Sequence, residues 1–419
     1  MPSNSPTPIL PTTRREFLQL SGRGIGLIAF SRFAPAFLVD SALASTPAPE
    51  KDRSILVLVQ LAGGNDGLNT LVPYEDANYY RLRPTLAIAK DKVLRASSTV
   101  GLHPSCAALH RLLADGKLAI VQNVGYPNPN RSHFRSTEIW ETASASGEFL
   151  ATGWIGRFMD NACAGQPGGA AGPVGVHISN GVPPSFLSAS EHPTFGLLPG
   201  AGNRHENEEN RRLLESLASQ PGAGNDSATF LRHTLMDALV TEKKVQRVLG
   251  SYQPSASYPG NPFAASLRNV AALIAAGLPT RVYFVSLSGF DTHSNQANQQ
   301  ANLLTTLSEG LAAFQQDLER HRLDGQVTTM TFSEFGRRPS ENESRGTDHG
   351  TAAPLFVMGS RVKGGLHGTA PALNLAPNED LSFTTDFRSV YATMLDRWLA
   401  CPSEPVLGGK FANLPIIQV

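Results

Sequence analysis

Six continuous apolar runs of strand length constrain how this chain can fold more than any other feature of its sequence. The first spans residues 54–61 and reads Ser-Ile-Leu-Val-Leu-Val-Gln-Leu. A strand buried on both faces of a sheet has this pattern, because both sets of side chains must be apolar. The other five runs span residues 118–124, 174–178, 281–287, 327–332 and 354–358.

Between these runs, apolar residues recur at three- and four-residue steps, which is the period of an amphipathic helix. The helical stretches span residues 103–115, 263–276, 297–321 and 386–399. Strands that alternate with helices pair in parallel and are covered by the helices that connect them. The sequence therefore predicts an α/β fold with a mostly parallel central sheet flanked by helices on both faces.

Residues 180–226 interrupt this alternation. They contain one proline pair, two Pro-Gly-Ala-Gly turns and a charged stretch at 205–212. A segment of this length without periodicity inside a compact domain is often functional. We expect an inserted cap or loop here, and a plain surface excursion is an equally valid interpretation.

The amino terminus has the pattern of an export signal. Arg14 and Arg15 are followed by a weakly apolar stretch at 25–39 and by Ala-Leu-Ala at 42–44. Twin arginines with modest hydrophobicity predict a twin-arginine signal peptide over residues 1–44, which requires the twin-arginine translocase as a partner. The remainder, 45–419, is then a single periplasmic or extracellular domain.

A membrane helix is the competing interpretation of this leader. Arg23 and Arg32 interrupt the apolar stretch, which is shorter than the roughly 20 residues that a span needs. We therefore expect no stable membrane span after cleavage.

The charge and the cysteines exclude several classes of protein. Four arginines and two acids lie within residues 1–44, so the rest of the chain has 31 basic and 33 acidic residues. This balance does not favour nucleic-acid binding. Cys106, Cys163 and Cys401 allow at most one disulfide and have no CxxC spacing. A disulfide scaffold is excluded, and a cysteine metal site is not expected.

Acidic and histidine side chains follow the apolar runs. In an α/β protein these strand ends meet at one edge of the sheet, where carboxylates and imidazoles can share a divalent cation such as zinc, manganese, magnesium or calcium. Such a site suits the hydrolysis of a small anionic ester. The candidate metal ligands are Asp66, Asp291, His293, Glu334, Asp348, His349 and His367.

Most of these candidates also have a structural interpretation. Asp66 could cap a turn, and Asp291 with His293 could be a helix cap beside a satisfied histidine. Glu334 could instead belong to a surface ion pair, and His367 could lie in a surface turn.

Two further residues are candidates for the reaction itself. Arg337 would suit a phosphate or sulfate oxygen because its guanidinium is a planar fork. Ser132 follows the run at 118–124 at an expected helix start, where backbone amides favour an anion and a nearby cation would activate its hydroxyl. Ser132 could equally be a helix cap, and Arg337 could form an ion pair. The chain has no GxSxG elbow, HExxH helix or phosphate-binding GxxxxGK[ST] loop.

These motifs together resemble the exported bacterial family called domain of unknown function 1501. The resemblance covers nearly all of the chain after the leader. It rests on Gln-Leu-Ala-Gly-Gly-Asn-Asp-Gly-Leu-Asn at 60–69, Arg-Ser-His-Phe at 131–134, Asp-Thr-His at 291–293, Ser-Glu-Phe-Gly-Arg at 333–337 and Thr-Asp-His-Gly at 347–350. That family is similar to the alkaline phosphatase and sulfatase superfamily, so the resemblance implies an alkaline-phosphatase-like fold.

The resemblance also implies roles for individual residues. Asp66, Asp348 and His349 would hold one metal. Asp291 and His293 would hold a second, with His367, and Ser132 would be the nucleophile. The implied function is an exported metal-dependent hydrolase of a phosphate or sulfate ester. The alternative is a non-catalytic envelope or binding protein of the same fold with a structural or vestigial metal site.

Overall fold

The computed structural model of the chain describes residues 53–161, 173–190, 192, 194–199, 216, 245–376 and 378–418. The twin-arginine leader, Cys163 and most of the expected insertion at 180–226 lie outside these residues. Among the described residues, no helix is long and apolar enough to cross a membrane.

A nine-stranded sheet forms the centre of the molecule. Its strands are β1 (Ile55–Ala62), β5 (Leu118–Gly125), β6 (Gly175–Ile178), β7 (Thr194–Leu197), β8 (Val282–Ser288), β9 (Val327–Phe332), β10 (Ala353–Met358), β11 (Gly365–His367) and β12 (Thr385–Asp386). The strand order is β11-β5-β10-β9-β1-β8-β6-β7, and β12 pairs with β5. The short strands β2 (Leu71–Val72), β3 (Leu94–Arg95) and β4 (Gly101–Leu102) form a second sheet.

The pairing is parallel except at one strand. β1 is parallel to both β8 and β9, and β6 is parallel to β7 and β8. β10 is antiparallel to both β5 and β9. The predicted α/β class with a mostly parallel sheet is confirmed, and all six apolar runs are strands of this sheet. β7 belongs to the sheet although it lies within the segment expected to be an insertion.

The α-helices with both ends among the described residues are α1 (Gly67–Thr70), α2 (Ala77–Leu82), α3 (Ala107–Ala114), α4 (His133–Thr142), α5 (Trp154–Asp160), α6 (Pro262–Ala275), α7 (Gln296–Arg320), α8 (Phe387–Thr393) and α9 (Ser403–Leu407). α8 continues as a π-helical turn, Met394–Trp398.

Helices cover both faces of the sheet, as the alternating side chains of β1 show. Val57 and Val59 pack in one apolar cluster with residues of α3, α6 and α7. Leu56 and Leu58 pack in the opposite cluster with residues of α4, α5 and α8. Because both faces of β1 are covered over residues 55–59, this stretch must be apolar throughout.

Candidate functional site

Loops at the carboxyl ends of adjacent parallel strands bring five of the seven candidate ligands together. Asp291 and His293 follow β8, Glu334 follows β9, and His349 lies in the loop that leads into β10. α4 begins at His133. β8 and β9 lie on either side of β1, so these loops meet above its end.

Three histidines share one arrangement, in which Nδ1 faces an oxygen that can only accept a hydrogen bond. His133 Nδ1 lies 2.9 Å from Glu334 Oε1, and His349 Nδ1 lies 2.9 Å from the Arg131 carbonyl. His293 Nδ1 lies 3.3 Å from Asp348 Oδ1. An Nδ1–H would donate to each of these oxygens, and in that tautomer of the neutral ring the lone pair is at Nε2.

The three Nε2 atoms converge on the carboxylate of Asp291. Its Oδ1 lies 3.0 Å from both His293 Nε2 and His349 Nε2, and its Oδ2 lies 3.4 Å from His133 Nε2. The Nε2 atoms of His293 and His349 are 2.9 Å apart. Lone pairs this close repel each other unless a cation, either a proton or a metal ion, lies among them.

These separations fit a divalent metal. Atoms that bind a tetrahedral zinc ion at about 2.0–2.1 Å lie roughly 3.3 Å from each other. Metal-binding histidines commonly donate their other ring N–H to a carboxylate or a backbone carbonyl, as all three rings do here. Within the described residues, ligand atoms of His133, Asp291 and His349 lie within 4.8 Å of one another.

We refer to His133, Asp291, His293 and His349 as the cluster. The charges around the cluster also favour a cation. Three carboxylates, those of Asp291, Glu334 and Asp348, contact the histidine rings, and Asp291 also pairs with the guanidinium of Arg337. Burial alone would raise the pKa of Asp291, but its hydrogen bonds with Arg337 and His349 and the positive charges of Arg337 and His293 together outweigh burial, and the pKa falls to about 2. The hydrogen bond from Asn342 lowers the pKa of Asp348. Glu334 Oε2 is buried and, among the described residues, has no hydrogen-bond partner.

The cluster is open to solvent on one side. The side chains of Asp291, His293 and Asp348 are 47%, 45% and 53% exposed. A structural metal site is closed by protein groups, whereas a catalytic one keeps a position for water or substrate. The geometry is that of an open site.

Arg337 is placed differently from the sequence-based expectation. Its side chain is buried, and its guanidinium donates to the carbonyls of Gly64 at 2.8 Å, Thr347 at 2.8 Å and Phe290 at 3.0 Å, as well as to Gly63. It also contacts Asp291 Oδ1 at 2.6 Å. With these contacts in place, the guanidinium holds the site loops instead of presenting a fork to substrate.

Asp66 lies behind the cluster. It caps α1, and its carboxylate is bound by Arg83 Nη1 at 2.6 Å, by the Asn69 amide at 3.4 Å and by Gln296. Asp66 and Arg83 are both fully buried. The structural interpretation that the sequence left open, a cap, describes what Asp66 does here.

His367 and Ser132 also have defined positions. His367 lies in β11, beside Val121 of β5, and its Nε2 contacts the Lys363 carbonyl at 2.8 Å. The exposed Ser132 precedes α4, and its side chain makes no capping hydrogen bond. Its hydroxyl therefore does not cap the helix, and Ser132 directly precedes His133 of the cluster.

His133 was not among the ligands expected from the sequence. The structure places it at the first position of α4, and its hydrogen bond with Glu334 raises its pKa. One feature of the sequence could have identified His133 as a ligand: it lies directly after the expected helix start, within the Arg-Ser-His-Phe motif.

A cavity of about 640 Å³ opens at the same edge of the sheet. It is lined by residues that include Gln60, Glu141 and Ser288. Ser288 is three residues before Asp291, so the two Cα atoms are at most about 11 Å apart. Burial raises the pKa of Glu141 to about 7. The cavity is therefore within reach of a group bound at the cluster.

Solved structures with detectable similarity are distant. The protein i-CgsB, solved with k-i-k-neocarrahexaose, has 9% identity and a TM-score of 0.39 over 86% of this chain and 73% of its own. The sulfatase PsFucS1 from Pseudoalteromonas sp. has 10% identity and a TM-score of 0.32, over 90% and 74%. An alkaline phosphatase from the Antarctic bacterium TAB5 has 9% identity and a TM-score of 0.29, over 74% and 93%.

Similarity at this level carries no argument about activity. A comparison with curated protein sequences finds no match. One family matches the chain over residues 53–400, which include β1, the central strands and every residue of the cluster. The chain therefore belongs to the family described as "Protein of unknown function (DUF1501)".

Proposed function

We propose that this protein is an exported metal-dependent hydrolase of a phosphate or sulfate ester. The observation that carries the proposal is the convergence of three imidazole Nε2 atoms on the Asp291 carboxylate, in a cluster that is open to solvent. Export through the twin-arginine pathway to the periplasm or beyond is part of the same proposal and rests on the leader sequence.

The residues that would hold the metal are His133, Asp291, His293 and His349. Glu334, Asp348 and the Arg131 carbonyl orient the three rings. A divalent cation bound here would polarise an ester oxygen and lower the pKa of a bound water or hydroxyl. Zinc suits this nitrogen-rich set, and manganese is compatible with it.

Positive charge at the edge of the cluster supports an anionic substrate. The Arg131 carbonyl contacts His349, and the Arg338 amide donates to the Asp348 carbonyl. Both arginine side chains reach Asp380, at 2.8 Å and 3.8 Å, so one carboxylate faces two guanidinium groups. A guanidinium group at this edge suits the oxygens of a phosphate or sulfate group.

Ser132 is the proposed nucleophile, with a bound water as the alternative. Its exposed hydroxyl lies beside His133 and at the start of α4, a ten-residue helix whose first amides favour an anion. Ser132 would give up its hydroxyl proton to solvent and attack the phosphorus or sulfur atom, and the bond to the alcohol oxygen would break. Water would then release phosphate or sulfate from the serine, and a cation held by the cluster would stabilise the charge that develops.

Elemental analysis, followed by hydrolysis assays, tests this proposal. Wild-type protein purified without a metal-affinity tag should contain near-stoichiometric zinc, manganese, magnesium or calcium. His293→Ala and His349→Ala should lose it, whereas His367→Ala should keep it because His367 lies outside the cluster. Hydrolysis of p-nitrophenyl phosphate or p-nitrophenyl sulfate should follow the metal content.

Two results would contradict the proposal. A metal-loaded wild type that hydrolyses no phosphate or sulfate ester would favour the alternative, a non-catalytic envelope or binding protein with a structural ion. A folded wild type that binds none of these metals would remove the metal site itself.

A further inference from the structure

The carboxylate of Asp66 is enclosed by protein donors. Asp66 Oδ2 accepts hydrogen bonds from Arg83 and Gln296, and Oδ1 accepts one from the Asn69 amide. Arg83 is itself fixed, because it also donates to the carbonyls of Pro339 at 2.9 Å and Arg338 at 3.0 Å. A metal at Asp66 would have to displace a buried guanidinium from its only carboxylate contact in the described residues.

Gln296 connects this buried pair to the site. It is fully buried at the first position of α7, and its Nε2 donates to Asp66. Its Oε1 accepts from Thr292 Oγ1 at 3.0 Å and from Thr347 Oγ1 at 2.5 Å. Thr292 lies between Asp291 and His293 in the chain.

Thr347 directly precedes Asp348 and His349, so the two threonines belong to the two loops that carry the ligands. The Thr347 amide also donates to the Thr292 carbonyl at 3.2 Å. One buried amide group therefore holds both ligand loops against a buried ion pair.

We propose that Asp66, Arg83 and Gln296 form an anchor without metal, that Gln296 is the positioning residue for both ligand loops, and that the chain holds one metal ion instead of two. The metal count rests on the proposed function. The positioning role does not, because it concerns the order of the loops in the metal-free protein.

The chain offers a matched control one helical turn further along α7. Gln300 is also buried, and its Nε2 donates to Asn65 Oδ1 at 3.1 Å and to Thr70 Oγ1 at 3.2 Å. Gln296→Leu and Gln300→Leu make the same chemical change at the same depth and beside the same turn. Only the first removes the link to Thr292 and Thr347.

Hydrogen exchange on the metal-free proteins tests the positioning role directly. In Gln296→Leu, amides at 291–293 and 347–349 should exchange faster than in Gln300→Leu, while amides of β1 remain equally protected in both. Thr292→Val and Thr347→Val remove only the hydroxyl and should reproduce the effect on these loops. Equal exchange at both loops in the two leucine variants would overturn the positioning role.

Metal titration by calorimetry tests the number of metal ions per chain and the effect of Gln296 on metal affinity. Wild type should bind one zinc or manganese ion per chain at the cluster. Gln296→Leu should bind it more weakly, by about 10-fold or more, because the two loops that carry the ligands lose the group that positions them, and losing a group that orients metal ligands typically costs about 10–100-fold. Gln300→Leu should retain the wild-type affinity. Two ions per wild-type chain would overturn the single-metal count.

The two proposals fail in different ways. If wild type binds no metal, the proposed function and the metal count both fail, but the exchange result still decides the role of Gln296. If wild type binds one metal and Gln296→Leu matches Gln300→Leu in both measurements, only the inference about Gln296 fails.

Discussion

At the scale of single residues, Arg337 shows how a buried guanidinium shapes the site without touching substrate. It joins the turn after β1 to Asp291 and to the loop that carries His349. Its planar group satisfies several carbonyl oxygens at once, which the compact ammonium of lysine cannot do. Replacing Arg337 by lysine therefore distinguishes an arginine that anchors the loops from one that binds substrate.

We expect Arg337→Lys to lower the free energy of unfolding by about 2–4 kcal/mol, because lysine cannot satisfy all of these carbonyl oxygens and a buried polar group left unsatisfied costs about 1–3 kcal/mol. Asp291 should also lose its main stabilising hydrogen bond, so its pKa should rise. Urea denaturation measures the first effect. Arg361→Lys, at an exposed position, should change stability by less than about 0.5 kcal/mol. An unchanged stability with a raised KM would restore the substrate-binding role.

Glu141 provides a pH-dependent prediction. Burial raises its pKa from an ordinary value of 4.5 to about 7 in the folded chain. The folded state therefore favours the protonated acid, and this stabilising contribution is complete below pH 4.5 and is lost as the pH rises through 7.

We expect Glu141→Gln to be more stable relative to wild type at pH 8 than at pH 4, by up to roughly 3 kcal/mol, because one pKa unit corresponds to about 1.4 kcal/mol. The amide keeps an oxygen to accept the hydrogen bond from the Ser185 amide. Urea denaturation at both pH values measures the difference. A difference that does not vary with pH would show that Glu141 titrates near its ordinary value.

At the scale of elements, the turn after β1 controls how closely β8 approaches the site. Gly63 has φ +120°, and a Cβ there would overlap the backbone amide of Asp291 and lie 2.8 Å from the Phe290 carbonyl carbon. The overlap is with backbone, which cannot rotate away. The glycine therefore permits the contact that places Asp291.

We expect Gly63→Ala to destabilise the protein and to weaken metal binding, because Asp291 must shift. Gly277→Ala is the control: Gly277 has φ +74°, and nothing lies within 4 Å of its added Cβ. It should show the cost of a positive φ, about 1 kcal/mol, with metal affinity unchanged. Equal metal affinity in the two variants would show that the turn does not set the position of Asp291.

The sequence predicts the main elements of this fold but not how they are arranged. Long apolar runs identify β1 and β8 because a strand covered on both faces has few polar positions. The run at 354–358 is also apolar, yet β10 is antiparallel to its neighbours β5 and β9. A run of apolar residues carries no information about strand direction, which depends on the connections. The short strands β11 and β12 have no such run to reveal them.

At the scale of the whole molecule, the sequence locates the loops of the candidate site but not which of them meet. The family resemblance implies separate metals for Asp291 with His293 and for Asp348 with His349, whereas the structure joins them in one cluster. Their meeting depends on the order β9-β1-β8, which no local pattern encodes. Asp66 occupies the expected turn, but its partner Arg83 lies on another element, so its role could not be read from the turn alone.

The cluster joins α4 to the loops after β8 and before β10, so a bound metal should stabilise the whole fold. A ligand that binds only the folded state at about 100 times its Kd adds about 2.7 kcal/mol. We expect EDTA to lower the Tm of the metal-loaded protein by several degrees, as measured by calorimetry, and added zinc or manganese to restore it.

The change in Tm should depend on the residues of the cluster and not on histidines elsewhere in the chain. Asp291→Ala/His349→Ala should give the same Tm with EDTA and with added metal, because two converging ligands are gone. His367→Ala should behave like wild type, since its ring contacts the Lys363 carbonyl away from the cluster. A Tm that responds to metal in the double variant would place the stabilising ion elsewhere in the chain. The open side of this cluster would then need another explanation.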